Sequence, residues 1–212
     1  MPRTARIVVP GAAHHITQRG HNRADVFQDD VDRREYLILL KKHASDSGCR
    51  IAAYCLMTNH IHLVAIPKEE DCLAAMMSKL NTCYSRHFND RHDRSGAVWQ
   101  GRFYSCPMDQ QHAINALCYV ELNPLRAGMV NAPAAFPWSS ARAHLGYIKN
   151  DPVLELRRWR EHWTVNAWNE TLCAFMDRMG AADEIRRHTR TGKALGDAEF
   201  LKRVAALTDA PK

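Results

Sequence analysis

The sequence predicts an α+β fold, on three observations. The stretches Cys49–Met57 and His60–Ile66 alternate or run apolar in the manner of strands, and only Thr58-Asn59 separates them. Segments beginning near Asp30, Leu73 and Gln110 repeat apolar residues every three or four positions, the period of helices packed on one face. Extended and helical patterns are interleaved along a chain of 212 residues, long enough to bury one sizeable core and carry a smaller appendage.

Taken in order, Arg3 to Val9 reads as a short strand, Pro10-Gly11 as a turn, and His14 to Arg19 as a strand running into the loop Arg19-Gly20-His21-Asn22-Arg23. Asp29 or Asp30 suits the N-cap of a helix to about Ser47, with Val31, Leu37, Leu40 and Ala44 as its apolar stripe and Gly48 as its stop. Between the two strands of the pair, Asn59 tolerates the left-handed backbone that a two-residue hairpin needs. Beyond Pro67 the acidic run Glu69-Glu70-Asp71 favours a helix start. Leu73, Met76, Leu80, Tyr84 and Phe88 carry that helix to the polar loop Asn89–Gly96. Asp109 starts another helix, Gln110 to about Leu122, which Pro124 ends because the residue before proline avoids the helical region. In the tail, Leu154, Leu156, Trp159, Trp163, Trp168, Leu172, Phe175 and Met176 predict a small helical unit with an aromatic core. Gly196-Asp197 can cap a last helix from Ala198 to about Leu207.

Composition narrows the function classes. A net charge of +6 and a pI near 9.0 suit a polyanionic partner such as nucleic acid. Residues 1–150 carry 18 Lys/Arg against 13 Asp/Glu, whereas residues 151–212 carry 11 against 10, so the excess sits in the first part. No run approaches the ~20 apolar residues of a membrane span, and the N-terminus lacks the apolar core of a secretion signal. We therefore expect a cytoplasmic protein with no membrane partner. Seven cysteines, an odd number with no C-x-x-C pair, argue against a disulfide framework and a structural zinc site.

The candidate chemistry lies in three places. On a strand, His60 and His62 share a face while Ile61, Leu63 and Ala65 share the other, so two imidazoles point at one place and can hold a divalent metal. His-x-His alone suits packed or solvated histidines equally well. His14 and His15 are adjacent, face opposite ways, and make poor partners for one metal. On the helix from Gln110, a narrow stripe carries His112, Asn115, Tyr119 and Asn123, with Ala113, Ile114, Leu117 and Val120 opposite. A phenol is a possible nucleophile and an amide oxygen an acceptable ligand for Mg or Mn; a solvent-facing helix side explains the same residues. The run Val98-Trp99-Gln100-Gly101-Arg102-Phe103-Tyr104 interleaves arginine with aromatics around a glycine, as a base-stacking surface does, and a buried strand with one exposed Arg also fits. Arg19-Gly20-His21-Asn22-Arg23 reads either as a phosphate cradle or as a polar turn.

The runs CLMTNHIHLV (55–64), GAVWQGRF (96–103), YVELNPLRAGMV (119–130) and PWSSARAHLGY (137–147) resemble the single-tyrosine HUH transposases, most of all the REP-associated tyrosine transposases, over roughly residues 5–148. The resemblance implies a ferredoxin-like antiparallel sheet with flanking helices in residues 1–148, followed by a C-terminal helical extension in 149–212. It implies that His60 and His62 bind a divalent metal, Mg or Mn, that Tyr119 attacks DNA, and that Asn123, one turn beyond, completes the metal site. Relatives in the wider class often carry Gln at that last position.

On that reading, Tyr119 cuts single-stranded hairpin DNA through a 5′-phosphotyrosine link that a 3′-hydroxyl can reverse. His112 lies on the right stripe for a general base, two turns away. Arg19, Arg23, Arg94, Arg102 and Arg126 are the expected DNA contacts, with Trp99 and Phe103 as stacking groups. Arg186, Arg187, Arg190 and Lys193 of the tail either help grip the hairpin or belong to a packing element. The rival readings are a DNA-binding regulator of repeat elements that does not cut, and a metal-dependent phosphodiesterase that uses water. The chain can act as a monomer or a homodimer.

Overall fold

The computed structural model describes residues 6–178 and 180–209. Its core is a four-stranded antiparallel sheet built from β1 (Ala13–Arg19), β2 (Cys49–Met57), β3 (His60–Pro67) and β4 (Tyr104–Met108), in the order β2-β3-β1-β4. Helix α1 (Asp30–Asp46) follows β1 and α2 (Cys72–Arg91) follows β3. The βαββαβ order with β1 and β3 in the middle is the ferredoxin-like arrangement. Helices α3 (Gln110–Glu121), α4 (Asn123–Arg126), α5 (Ala141–His144), α6 (Leu156–His162), α7 (Val165–Met176), α8 (Ala181–Thr191) and α9 (Ala198–Asp209) complete the chain. Among the described residues no helix is long and apolar enough to cross a membrane.

Strand alternation divides the interior in two. Ile16, Tyr54, Leu56, Ile61 and Leu63 point to one face and pack against Tyr36, Leu37 and Leu40 of α1 and Leu73, Met76, Leu80 and Tyr84 of α2. Ala53, Cys55, Met57, Val64, Cys106 and Met108 point to the other, against α3 and the C-terminal helices through Leu117, Val120, Trp168, Leu172 and Ile185. The sheet is therefore a filled layer between two helical layers.

Local signals explain most boundaries. Asp29 caps α1, accepting from the backbone of Val31 and Asp32, and Gly48 follows the helix with φ +69°. Asp109 caps α3 by accepting from His112 N–H at 2.8 Å. Asp197 caps α9 through Phe200 N–H at 2.8 Å. Pro124 does stop α3, yet it opens the short helix α4, where its missing N–H costs nothing.

Three expectations change. For the expected strand Arg3–Val9, residues 3–5 lie outside the described residues, and residues 6–9 are not a strand: the Val9 N–H donates to His14 Nε2 instead. Val98, Trp99 and Phe103 belong to the buried core beside Tyr36 and Tyr84, and the strand in this region starts only at Tyr104. Gly20 is required by the chain's own turn, since a Cβ there would stand 2.1 Å from the Ala24 carbonyl oxygen.

Both outer strands are covered. Leu56 N–H donates to the Trp138 carbonyl and Ser140 N–H to the Tyr54 carbonyl, laying residues 138–140 along β2. Leu195 pairs with β4, donating to Pro107 and accepting from Asp109. The C-terminal helices are fastened by one buried carboxylate. Glu121, at the end of α3, accepts from Ser140 Oγ at 2.6 Å, from His144 Nδ1, and from Trp168 Nε1 of α7 at 2.8 Å. His144 stacks on Trp159 of α6 with centroids 3.6 Å apart, and Trp159, Trp163 and Trp168 pack together.

Because Glu121 is fully buried, Trp168→Phe leaves one carboxylate oxygen without its donor; we expect a loss of about 1–3 kcal/mol in a denaturant titration. An unchanged midpoint would refute the role given to this bond.

Candidate active site

The centre of the second sheet face is built from the two inner strands. On β3, His62 is buried and His60 half-buried, and both lie on the face under α3 while Ile61 and Leu63 fill the opposite core. On β1, His15 occupies the same face one position along, and His14 and Ile16 face away. The adjacent histidines do diverge as expected, but His15 thereby meets His62. Its Nε2 lies 2.9 Å from His62 Nδ1, with the rings stacked at 5.1 Å.

The hydrogen bonds around these rings have one consistent direction. Thr189 Oγ1, from α8, donates to the Ile185 carbonyl at 2.8 Å, so His15 Nδ1–H donates to Thr189 Oγ1 at 2.7 Å. His15 Nε2 is then an acceptor, His62 Nδ1 carries the proton, and His62 Nε2 is left as a lone pair. Asn59 does the same for His60: its Nδ2 donates to the Arg23 carbonyl at 3.0 Å, and its Oδ1 accepts from His60 Nδ1 at 2.7 Å. Burial keeps the rings neutral, pushing His15 down to about 3 and His60 down to about 4, the latter helped by Arg19 and Arg186. Burial, with His15 and His60 adding, holds His62 well below the usual imidazole range.

Two neutral imidazoles with their Nε2 atoms fixed as lone pairs fit a divalent metal. Among the described residues no group of three or more His, Cys, Asp or Glu side chains is arranged to hold one. Any third protein donor among the described residues would be of another kind. Asn123, close in sequence to Tyr119, uses its Nδ2 to donate to the Tyr119 carbonyl at 3.0 Å, and that bond does not engage its side-chain oxygen.

Tyr119 is brought to the same place from α3. Its ring meets His15 and His62 edge-on, with centroids 5.4 and 5.3 Å away. The polar stripe is not the solvent side of the helix, because Tyr119 faces the sheet histidines and Arg186 of α8: Tyr119 is 2% exposed and Asn123 7%. Arg186 of α8 donates from Nε to Tyr119 Oη at 3.2 Å, and this bond is the main cause that raises the Arg186 pKa. The guanidinium carbons of Arg126 and Arg186 lie 5.6 and 5.7 Å from the Tyr119 ring centre. From the sequence, Arg186 is offered only as a possible grip on DNA, His15 is set aside as a metal partner and Thr189 is passed over, because their meeting depends on how α8 lands on the sheet.

The remaining expected residues scatter. Arg19 pairs in register with His60 and stands, exposed, at the end of the same face. Arg23, Arg94 and Arg102 are exposed, and Arg94 lies over the Phe88 ring at 5.4 Å. Trp99 and Phe103 correct the stacking expectation. Each is only 7% exposed; Trp99 packs on Tyr36 and Tyr84, and Phe103 lies beneath Arg6 at 3.6 Å. His112 is bound through Nδ1 to Asp109 Oδ1 at 2.7 Å, so it serves the start of α3 and not Tyr119.

The family model described as Transposase IS200 like matches residues 8–123. A protein of Haemophilus influenzae, assigned by its name to the REP-associated tyrosine transposases, is 29% identical over 99 residues, which cover 42% of this chain and 56% of that protein. The chain thus spans a little over half the length of this curated relative. A solved structure of a REP-associated tyrosine transposase bound to a REP hairpin superposes with a TM-score of 0.57 at 17% identity, covering 72% of this chain and 90% of that one. At that identity the likeness establishes a shared fold.

The buried histidines set a pH dependence. Folded values near 4 for His14 and His60 and near 3 for His15 lie below the ordinary 6.5. Above pH 6.5 these rings are neutral in both states and stability is complete. As pH falls, the unfolded chain takes up protons that the folded chain refuses, so stability falls toward pH 4 by about 1.4 kcal/mol per pH unit and histidine. Thermal midpoints measured from pH 7 to 4 without added metal should decline, and less steeply in His14→Gln; a flat profile would contradict this.

Proposed function

The chain belongs to the IS200-like transposase family, and from that premise we propose that it cuts and rejoins single-stranded DNA with hairpin structure through a covalent link to Tyr119. The observation that carries this reading is the convergence of Tyr119 with His62 and His15, from a helix and two strands, on one buried spot. A binding protein has no use for a phenol packed beside His62, whose free Nε2 lone pair is fixed by His15. The name of the curated relative and the hairpin in the similar structure favour a palindromic DNA substrate, and the net charge of +6 agrees.

In the cleavage step Tyr119 Oη bonds to a backbone phosphorus as the P–O3′ bond breaks. The phenolic proton passes to water, and the departing 3′ oxygen takes a proton from water, giving a 5′-phosphotyrosine and a free 3′-hydroxyl. His60, His62 and the Asn123 side-chain oxygen would hold Mg or Mn, which when bound polarises a non-bridging phosphate oxygen. His15 and Asn59 keep the two ligand rings in the required tautomer. Arg126 and Arg19, exposed beside Tyr119 and His60, would meet the phosphates on either side, a role their position supports. Arg23, Arg94 and Arg102 are exposed elsewhere on the surface and would supply further phosphate contacts. Since Tyr119 stands beside the histidines of its own chain, one protomer holds a complete set, and a monomer suffices.

Incubation with end-labelled hairpin DNA and Mn or Mg should yield a protein–DNA adduct on a denaturing gel, absent in Tyr119→Phe. His62→Ala should lower both the adduct and the Mn affinity measured by calorimetry. Cleavage persisting in Tyr119→Phe would instead make the protein a water-using phosphodiesterase, and binding without cleavage would make it a regulator of repeat elements.

A further inference from the structure

The residues matched by the family model end at Asn123, yet the Tyr119 hydroxyl is held by a side chain from the C-terminal extension. We propose that Arg186 is a catalytic residue, delivered by α8, that aims the Tyr119 oxygen and carries its negative charge as the bond to phosphorus forms and breaks. This rests on the reading of Tyr119 as nucleophile.

The geometry is specific. Arg186 Nε–H donates to Oη at 3.2 Å, and Nη1 is clamped by Asp183 Oδ1 at 2.9 Å one turn back on the same helix. That pair occupies a second guanidinium nitrogen from the exposed side of the helix. The donated hydrogen bond occupies a lone pair of Oη and leaves the phenolic O–H to turn toward an outside acceptor. The helix itself is seated by Ala182 and Ile185 in the core and by Thr189 on His15, so its position is tied to the same histidine that backs His62. The guanidinium is half exposed, which leaves its other N–H groups accessible to a phosphate.

A guanidinium stays protonated and cannot take the phenolic proton, so Arg186 is not the general base. Its value is electrostatic and greatest in the rejoining step. There a 3′-hydroxyl bonds to phosphorus, its proton passing to water, and the P–Oη bond breaks. The electron pair remains on the tyrosine oxygen until water protonates it. A fixed donor at that oxygen lowers the barrier in both directions.

The test uses the full chain, labelled hairpin DNA and Mn, with single-turnover rates at saturating DNA and affinities measured separately. Arg186→Ala should form adduct roughly 100-fold more slowly and rejoin more slowly, with affinity nearly unchanged. Arg186→Lys should recover part of the rate, and added guanidinium chloride at non-denaturing concentration should restore part of it in Arg186→Ala. A merely structural role would allow neither recovery. Melting curves of the lysine and alanine variants check that both fold, and Arg186→Gln serves if alanine does not. A wild-type rate in Arg186→Ala, a faster rate, or a loss lying wholly in affinity and shared by Arg187→Ala and Arg190→Ala overturns the proposal. If the wild-type protein itself forms no adduct, the nucleophile reading fails; if it does and Arg186→Ala matches it, only this inference fails.

Discussion

The hydrogen bond between His15 and His62, joining the two central strands at 2.9 Å, is the contact on which the arrangement of the site depends. It is possible only because β1 and β3 are neighbours and because both residues fall on the face away from α1 and α2. Two imidazoles cannot both donate along one bond, so a third group must decide the direction. Thr189 does so from a helix more than a hundred residues away in sequence. A chain of four groups, from the Ile185 carbonyl through Thr189 and His15 to His62, thus converts the docking of α8 into the orientation of one lone pair.

The same helix reaches the tyrosine through Arg186, and α7 reaches the far side of α3 through Trp168 and Glu121. Helix α3 is consequently held between the sheet and the extension, with Tyr119 turned to the histidines and Glu121, two residues on, turned to the tryptophans. Glu121 would be costly as a bare buried carboxylate. Three donors from two separate segments make it a fixed point at which α5, α7 and the end of α3 register against one another.

How much of this was legible follows from the range over which each feature is decided. The caps at Asp29 and Asp109, the hairpin at Thr58-Asn59 and the face shared by His60 and His62 depend on near neighbours, and the sequence displays them. Periodicity located the stripe on α3 but left both a site and a solvent face open, because what it meets, the histidines of β1 and β3 and Arg186 of α8, lies far away in sequence. Strand β4 is short and interrupted by Pro107, so its pattern is faint, and its place at the sheet edge explains why proline is tolerated there. Trp99 and Phe103 carry the composition of a stacking surface, yet the aromatic cluster of Tyr36 and Tyr84 claims that space. His15 was assigned to the face opposite His14, but phase within one strand does not say which neighbour a side chain meets across the sheet.

The segments lying along the two outer strands bear on assembly. Trp138 and Ser140 already occupy backbone groups of β2, and Leu195 those of β4. A peptide or a second copy adding as a strand along Tyr54–Leu56 or Pro107–Asp109 would first have to displace them.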